Sequence, residues 1–173
     1  MKTILSLLST ALLLAACQTT GTRTTDSTTY RWPDFQQGLI PGPSNSPVKA
    51  KMPSVSLTPI ANKMTSERAA FGGVWEGWMC RNKVVDVKVA VRELTNEGAM
   101  VDYASGAQSF GSFNITLSAQ FSGDVLRGTL PSASGRPDLI LGMRSDGHMN
   151  VKWDNGTNWC TGVMERTASL PKR

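Results

Sequence analysis

The chain of 173 residues holds one histidine, three cysteines and two tyrosines, and only 18% of it is charged. Each scarcity closes off some chemistry. A serine or cysteine nucleophile would have to borrow the single imidazole, His148. That residue follows Ser145-Asp146-Gly147, a stretch that reads as an exposed hairpin turn. A zinc site would need more Cys and His ligands than the chain offers close together. Glu76, Asp102 and Glu165 could each contribute a carboxylate, but no spacing marks a general acid–base pair. The glycine-containing run Gly72 to Gly77 enters a strand rather than a helix, so it is no phosphate cradle. The expectation is therefore a protein that is not an enzyme and that uses no metal or cofactor.

Charge of one sign is also thin where it would matter for nucleic acid. The formal net charge is +5, yet from Gly73 onward eleven Lys/Arg face ten Asp/Glu. The basic excess sits in the N-terminal third, whereas a nucleic-acid reader gathers it on its folded surface. No nucleic-acid partner is expected. Long apolar runs are missing too. The one candidate, Ile4 to Leu14, is interrupted by two serines and a threonine and falls short of the roughly 20 residues a membrane-spanning helix needs.

That short run has another reading. Met1-Lys2-Thr3, the apolar stretch and Leu14-Ala15-Ala16-Cys17 make a basic start, an apolar centre and small residues before a cysteine, the pattern of an export signal. The four residues Leu14 to Cys17 resemble the lipobox of bacterial lipoproteins. The resemblance implies removal of residues 1–16, lipidation of Cys17 and a membrane attachment made through acyl chains, each buried methylene contributing about 0.8 kcal/mol. Gln18 stands where an aspartate would resemble an inner-membrane retention signal, so the expected location is the outer membrane of a bacterial cell envelope.

Residues 17–60 are threonine-rich and then proline-punctuated, with Pro33, Pro41, Pro43, Pro47, Pro53 and Pro59. Such a segment buries too little to offset its ordering entropy, and reads as a disordered or extended linker carrying the domain away from the membrane. Tyr30 to Phe35 (YRWPDF) is its one aromatic cluster, either loosely packed on the domain or headgroups, or a docking peptide. Residues 61–70 suit a short helix or lead-in.

From residue 71 to 167 the texture is that of a β domain, with 168–173 as a tail. Val85, Val87, Val89 and Val91 alternate with Asp86, Lys88, Ala90 and Arg92, placing valines on a buried face and charges in water. Eight strands follow from such runs and the turns between them: 73–79, 84–94, 99–104, 112–121, 125–130, 138–143, 150–154 and 159–166. Asp146-Gly147 and Asn155-Gly156 are tight-hairpin signals. Short connections and no interrupting helix predict an all-β fold, a small antiparallel eight-stranded meander closed as a barrel or flattened as a sandwich.

Cys80 ends the first strand and Cys160 opens the last, so closure of the meander would bring them together. Export favours oxidation, and lipidation of Cys17 leaves an even pair. A Cys80–Cys160 disulfide is expected, in a register whose paired positions sum to 240, setting Trp78 opposite Gly162 and letting its indole cover that glycine. A metal site or a catalytic thiol are the rival readings.

Trp75 and Trp78 have opposite parity on the first strand, so one should face inward and one outward. Trp153 and Trp159 flank the last hairpin. The four are either packing residues or a possible binding surface for a sugar or a partner loop. Gly73, Trp75 and Gly77, then Gly98, Ala99, Val101 and Tyr103, then Asp146, Gly147 and Arg166, resemble a small β domain of exported proteobacterial proteins with a Gly-x-Trp-x-Gly start. Cys80 and Cys160 lie outside that pattern. The Gly-x-Trp start is also similar to that of lipocalins and avidins. These resemblances imply a fold and leave the activity open. Together with the anchor, they give the leading expectation: a lipid-anchored envelope protein whose β domain is a binding module for an unknown envelope protein or glycan. A barrel carrying a small ligand, or an inhibitor of a lysozyme-like or protease enzyme, are the alternatives.

Overall fold

The structure, a computed structural model, describes residues 38–60, 63–131 and 135–171. Eight antiparallel strands form a closed barrel in simple meander order: β1 (Gly73–Met79), β2 (Val85–Arg92), β3 (Gly98–Ala107), β4 (Gly111–Ser122), β5 (Val125–Thr129), β6 (Asp138–Met143), β7 (Met149–Asp154) and β8 (Trp159–Ala168). Closure removes both sheet edges, since β1 pairs with β2 on one side and β8 on the other. Inward positions alternate along every strand and are filled by Trp75, Val87, Val89, Val91, Val101, Leu126, Leu139, Leu141, Val151 and Met164, all buried.

Several strand ends differ from expectation by one to three residues, and two of them have a local structural context. The second strand stops at Arg92 because Glu93 turns into positive φ, +50°. The third runs on past the expected end at Ala104 through Ser105-Gly106-Ala107. Gly106 is there for another reason: a Cβ on it would lie 2.6–2.8 Å from the backbone of residues 48–50, which cross over it. The lead-in helix is a single turn, α1 (Ser66–Ala69), whose N-cap Thr65 accepts the Arg68 amide.

Residues 38–60, part of the proline-punctuated segment, run along the barrel. This stretch is extended, as its prolines require, and lies strapped around the outside of the barrel. Apart from a local turn in which Ser46 Oγ accepts the Val48 amide (3.2 Å), the barrel supplies most of the hydrogen-bond partners of this extended chain. Arg144 Nη1 donates to the Leu39 carbonyl (2.8 Å) and Trp78 Nε1 to that of Ile40 (3.1 Å). The Asn45 amide donates to Lys83 O (2.8 Å), the Lys51 amide to Ser112 Oγ (3.2 Å) and the Glu93 amide back to Thr58 Oγ1 (3.3 Å). The centre of the strap closes on Asp86, whose carboxylate accepts the Ala50 amide (2.8 Å) and the Ser44 hydroxyl. Asp86 therefore faces outward, as the alternation requires, but is buried beneath the strap instead of standing in water. Asp102 is buried on the same outer face, held by Arg92 Nε (2.7 Å) and the Thr116 hydroxyl.

The disulfide Cys80–Cys160 is present, with a Cα–Cα distance of 4.8 Å. The register beside it is shifted by one from the expected pairing. Trp78 lies opposite Val163, Gly77 opposite Met164 and Met79 opposite Gly162. The cause is local: Cys80 has left the strand at φ +68°, and its amide donates to Thr161 O (2.8 Å), so the bridge joins diagonal neighbours. Gly162 is covered by backbone, not by the Trp78 indole. A Cβ there would sit 1.8 Å from the Trp78 carbonyl oxygen.

Candidate functional site

The two ends of the barrel differ. At the end where β1 begins, Phe71 meets Phe121 edge to face at 5.3 Å, and Arg68 lies over the Phe121 ring. Trp75 Nε1 donates to Phe71 O (2.9 Å), and the Arg166 guanidinium stacks on the Trp75 ring, 4.3 Å from its centroid. Arg166 donates to the carbonyls of Gly72 and Ala70. Burial lowers its affinity for the proton. Packing fills the barrel interior at this end; outside it, a cleft of about 720 Å³ with charged walls, among them Glu67, Arg68, Asp124 and Arg144, lies between α1 and the β4–β5 and β6–β7 turns.

The opposite end, where β1 finishes at the disulfide, is a mouth. A cavity of about 580 Å³ opens there between the β3–β4 hairpin, Leu130, Pro131 and Pro137, and the disulfide. Its base is formed by Met79, Val85, Tyr103, Ser105 and Leu130, all buried. Its rim carries Phe110 and Phe113, 51% and 44% exposed, and Trp153. The rings form a run from surface to interior. Phe110 and Phe113 have centroids 5.8 Å apart, and Phe113 and Tyr103 likewise 5.8 Å.

Two hydroxyls meet at the base. The Tyr103 phenol donates only to Met79 Sδ, at 3.9 Å, a weak acceptor. Burial pushes its pKa up to about 12, against a smaller opposing effect of the nearby Ser105 hydroxyl, so it remains a neutral donor. Ser105 Oγ is near the phenol but makes no hydrogen bond of normal geometry, although the residue is only 1% exposed. A buried polar atom without a partner is uncommon and costs on the order of 1–3 kcal/mol.

The four tryptophans do not assemble into one surface. Trp75 is fully inside near the closed end. Trp78 points outward but is 6% exposed, because Ile40 and the Lys83 ammonium cover it. Trp153 lines the mouth. Trp159 is 64% exposed and, with Trp78, Ile40, Arg81 and Lys83, lines a groove of about 690 Å³ on the outer wall beside the disulfide. The opposite parity of Trp75 and Trp78 holds, and the strap explains why both are buried. Cys17 and the Tyr30–Phe35 cluster lie outside the described residues.

His148 is half-buried in the β6–β7 hairpin with Nδ1 3.1 Å from Asp146 Oδ1. Burial raises the Asp146 pKa, but hydrogen bonds from His148 and Arg144 outweigh it and hold the carboxyl below its ordinary value. No group of three metal-ligating side chains gathers among the described residues. The sequence reasoning passed over Ser105, Phe110 and Phe113. Parity could have found Ser105 and Phe113, since both share the inward phase of Val101 and Leu117 on paired strands.

Comparison with protein-family models, with curated proteins and with solved structures finds no match for this chain.

Proposed function

We propose that this protein is a lipid-anchored binding module of the bacterial cell envelope, held in the outer membrane through Cys17, whose barrel mouth takes a small, uncharged, largely apolar ligand. The observation that carries the reading is the asymmetry of the barrel. At one end Phe71, Trp75 and Arg166 fill the interior and leave only an outer cleft with charged walls, while the other end opens inward, about 580 Å³ without a charged side chain among the described residues, over the Ser105 hydroxyl. Concave, mainly apolar sites with a few convergent polar groups are where small molecules bind. The strap supports the module by bracing the wall around the mouth, from Lys83 to Ser112.

Two measurements test the two halves. Intact mass spectrometry of Cys17 from native envelopes should recover a diacylglyceryl thioether, lost in Cys17→Ser. A free thiol in a chain that starts elsewhere removes the anchor. Titration of residues 18–173, which carry the strap and barrel whole, with neutral apolar compounds should show saturable one-to-one binding that competes with itself. Absence of any such binding removes the ligand site.

The exposed Trp159 beside Ile40, Arg81 and Lys83 favours a second reading, contact with an envelope protein or glycan, or inhibition of a lysozyme-like or protease enzyme by the outer wall. Inhibition or capture that vanishes in Trp159→Ala would support it.

A further inference from the structure

The chemistry of the mouth narrows what it can hold. This step rests on the reading of the mouth as a ligand site. No charged side chain lines it among the described residues. A charged ligand group would thus lose water without finding a counter-ion, at a cost that excludes ions from an apolar pocket. The walls are aromatic to an unusual degree, with Tyr103, Phe110, Phe113 and Trp153, and they offer sulfur at Met79 and at the bridge. Rings tilted against one another, at 60° for Tyr103 and Phe113 and 57° for Phe110 and Phe113, present both edges and faces. A planar ring gains more from such walls than a flexible chain, because edge and face contacts add to area burial and little rotamer entropy is lost.

The polar groups specify one further atom. Tyr103 Oη holds a proton with only a thioether to receive it, and Ser105 Oγ has the phenol nearby but no hydrogen bond of normal geometry. A single ligand hydroxyl can accept from the phenol and donate to the serine oxygen, satisfying both. A hydrocarbon would leave them unpaired, and a carbonyl would serve only as acceptor.

We propose that the mouth binds an uncharged phenolic ligand of one or two rings, its hydroxyl seated between Tyr103 Oη and Ser105 Oγ and its ring against Phe113 and Trp153. The neutral state of Tyr103 keeps the donor available through any physiological pH.

The test uses residues 18–173 and four probes by calorimetry: 2-naphthol, naphthalene, 2-naphthoate and 1-decanol. The expected result is tightest binding of 2-naphthol, with naphthalene weaker by about tenfold, the scale of one hydrogen bond to a buried group, and no measurable binding of 2-naphthoate, whose charge would be buried without a counter-ion. Ser105→Ala should narrow the gap between naphthol and naphthalene to about twofold while leaving naphthalene unchanged, with the thermal midpoint checked. Tyr103→Phe should narrow it independently. If 1-decanol binds as tightly as 2-naphthol, or naphthalene equals it, the phenolic specificity is overturned while the mouth remains a ligand site. Measurable binding of 2-naphthoate overturns the exclusion of charge. If none of the four binds, both the specificity and the underlying site fall.

Discussion

Removal of the Asp86 carboxylate should release the strap. Asp86 accepts one backbone amide, from Ala50, and one hydroxyl, from Ser44, at a buried position. Hydrogen bonds to a charged acceptor are worth about 1.5–3 kcal/mol each. The Lys49 ammonium lies 3.5 Å away, but its side chain is 57% exposed, so screening leaves it little. Allowing for water that reaches the freed groups, Asp86→Ala should cost about 3 kcal/mol, nearly all of it in the strap. Because each 1.4 kcal/mol is tenfold, local opening of the strap should become about a hundredfold more frequent. Lys49 and Lys51 place tryptic sites in that segment, so cleavage after them at low protease should accelerate by about that factor while the barrel itself resists. Trp78 should then gain solvent, read as a red shift of its fluorescence, since the strap carbonyl at Ile40 covers it. Ser44→Ala, which removes one of the two bonds, should give about tenfold. Cleavage of Asp86→Ala at the rate of the parent chain would refute the claim that this carboxylate anchors the strap.

Replacement of both Cys80 and Cys160 by serine frees a loop of sequence separation 80 in the unfolded chain. The chain-entropy model sets the loss at up to about 4.5 kcal/mol, seen as a lower denaturant midpoint with the β signature of the native barrel retained. An unchanged midpoint would mean that the β1–β8 pairing alone closes the barrel. Gly162→Ala drives a Cβ to 1.8 Å from the Trp78 carbonyl and should cost more than about 3 kcal/mol, whereas Gly147→Ala meets nothing within 4 Å and carries only the strain of φ +84°, about 1 kcal/mol. Chemical denaturation of the two should rank them in that order. Burial pushes the Asp102 carboxyl up, but bonds from Arg92 and Thr116 outweigh it and hold its pKa below the ordinary carboxylate value. Its stabilising contribution is therefore present above the unfolded pKa of about 3.9 and lost as pH falls through the folded value. Asp102→Asn should be less stable than the parent chain near neutrality, with the difference shrinking below about pH 4. A constant difference across that range would deny the ion pair this role.

Period-two alternation from Val85 to Val91 and the turn pairs Asp146-Gly147 and Asn155-Gly156 were enough to place eight strands within a few residues of their positions, because strand phase and turn chemistry are local properties. The two cysteines likewise announced closure, since a meander leaves its terminal strands antiparallel and a bridge between them needs no further information. The register beside the bridge was not legible. It depends on Cys80 turning to positive φ, a backbone choice that no residue type at that position signals. The mouth was half legible, in that Tyr103 and Ser105 share the inward phase, but that they face an unfilled volume follows only from how the other strands pack around them. The strap was invisible for a more basic reason. A proline-rich segment carries no periodicity of its own, and its order comes from hydrogen bonds to Asp86, Ser112, Trp78 and Arg144, residues far away along the chain. The sequence by itself determined the all-β meander and its bridge, through side-chain phase and turn propensity. Only the tertiary structure decided which end is plugged, which polar groups go unpaired and how residues 38–60 are held, because those depend on distances between parts of the chain that no local pattern encodes.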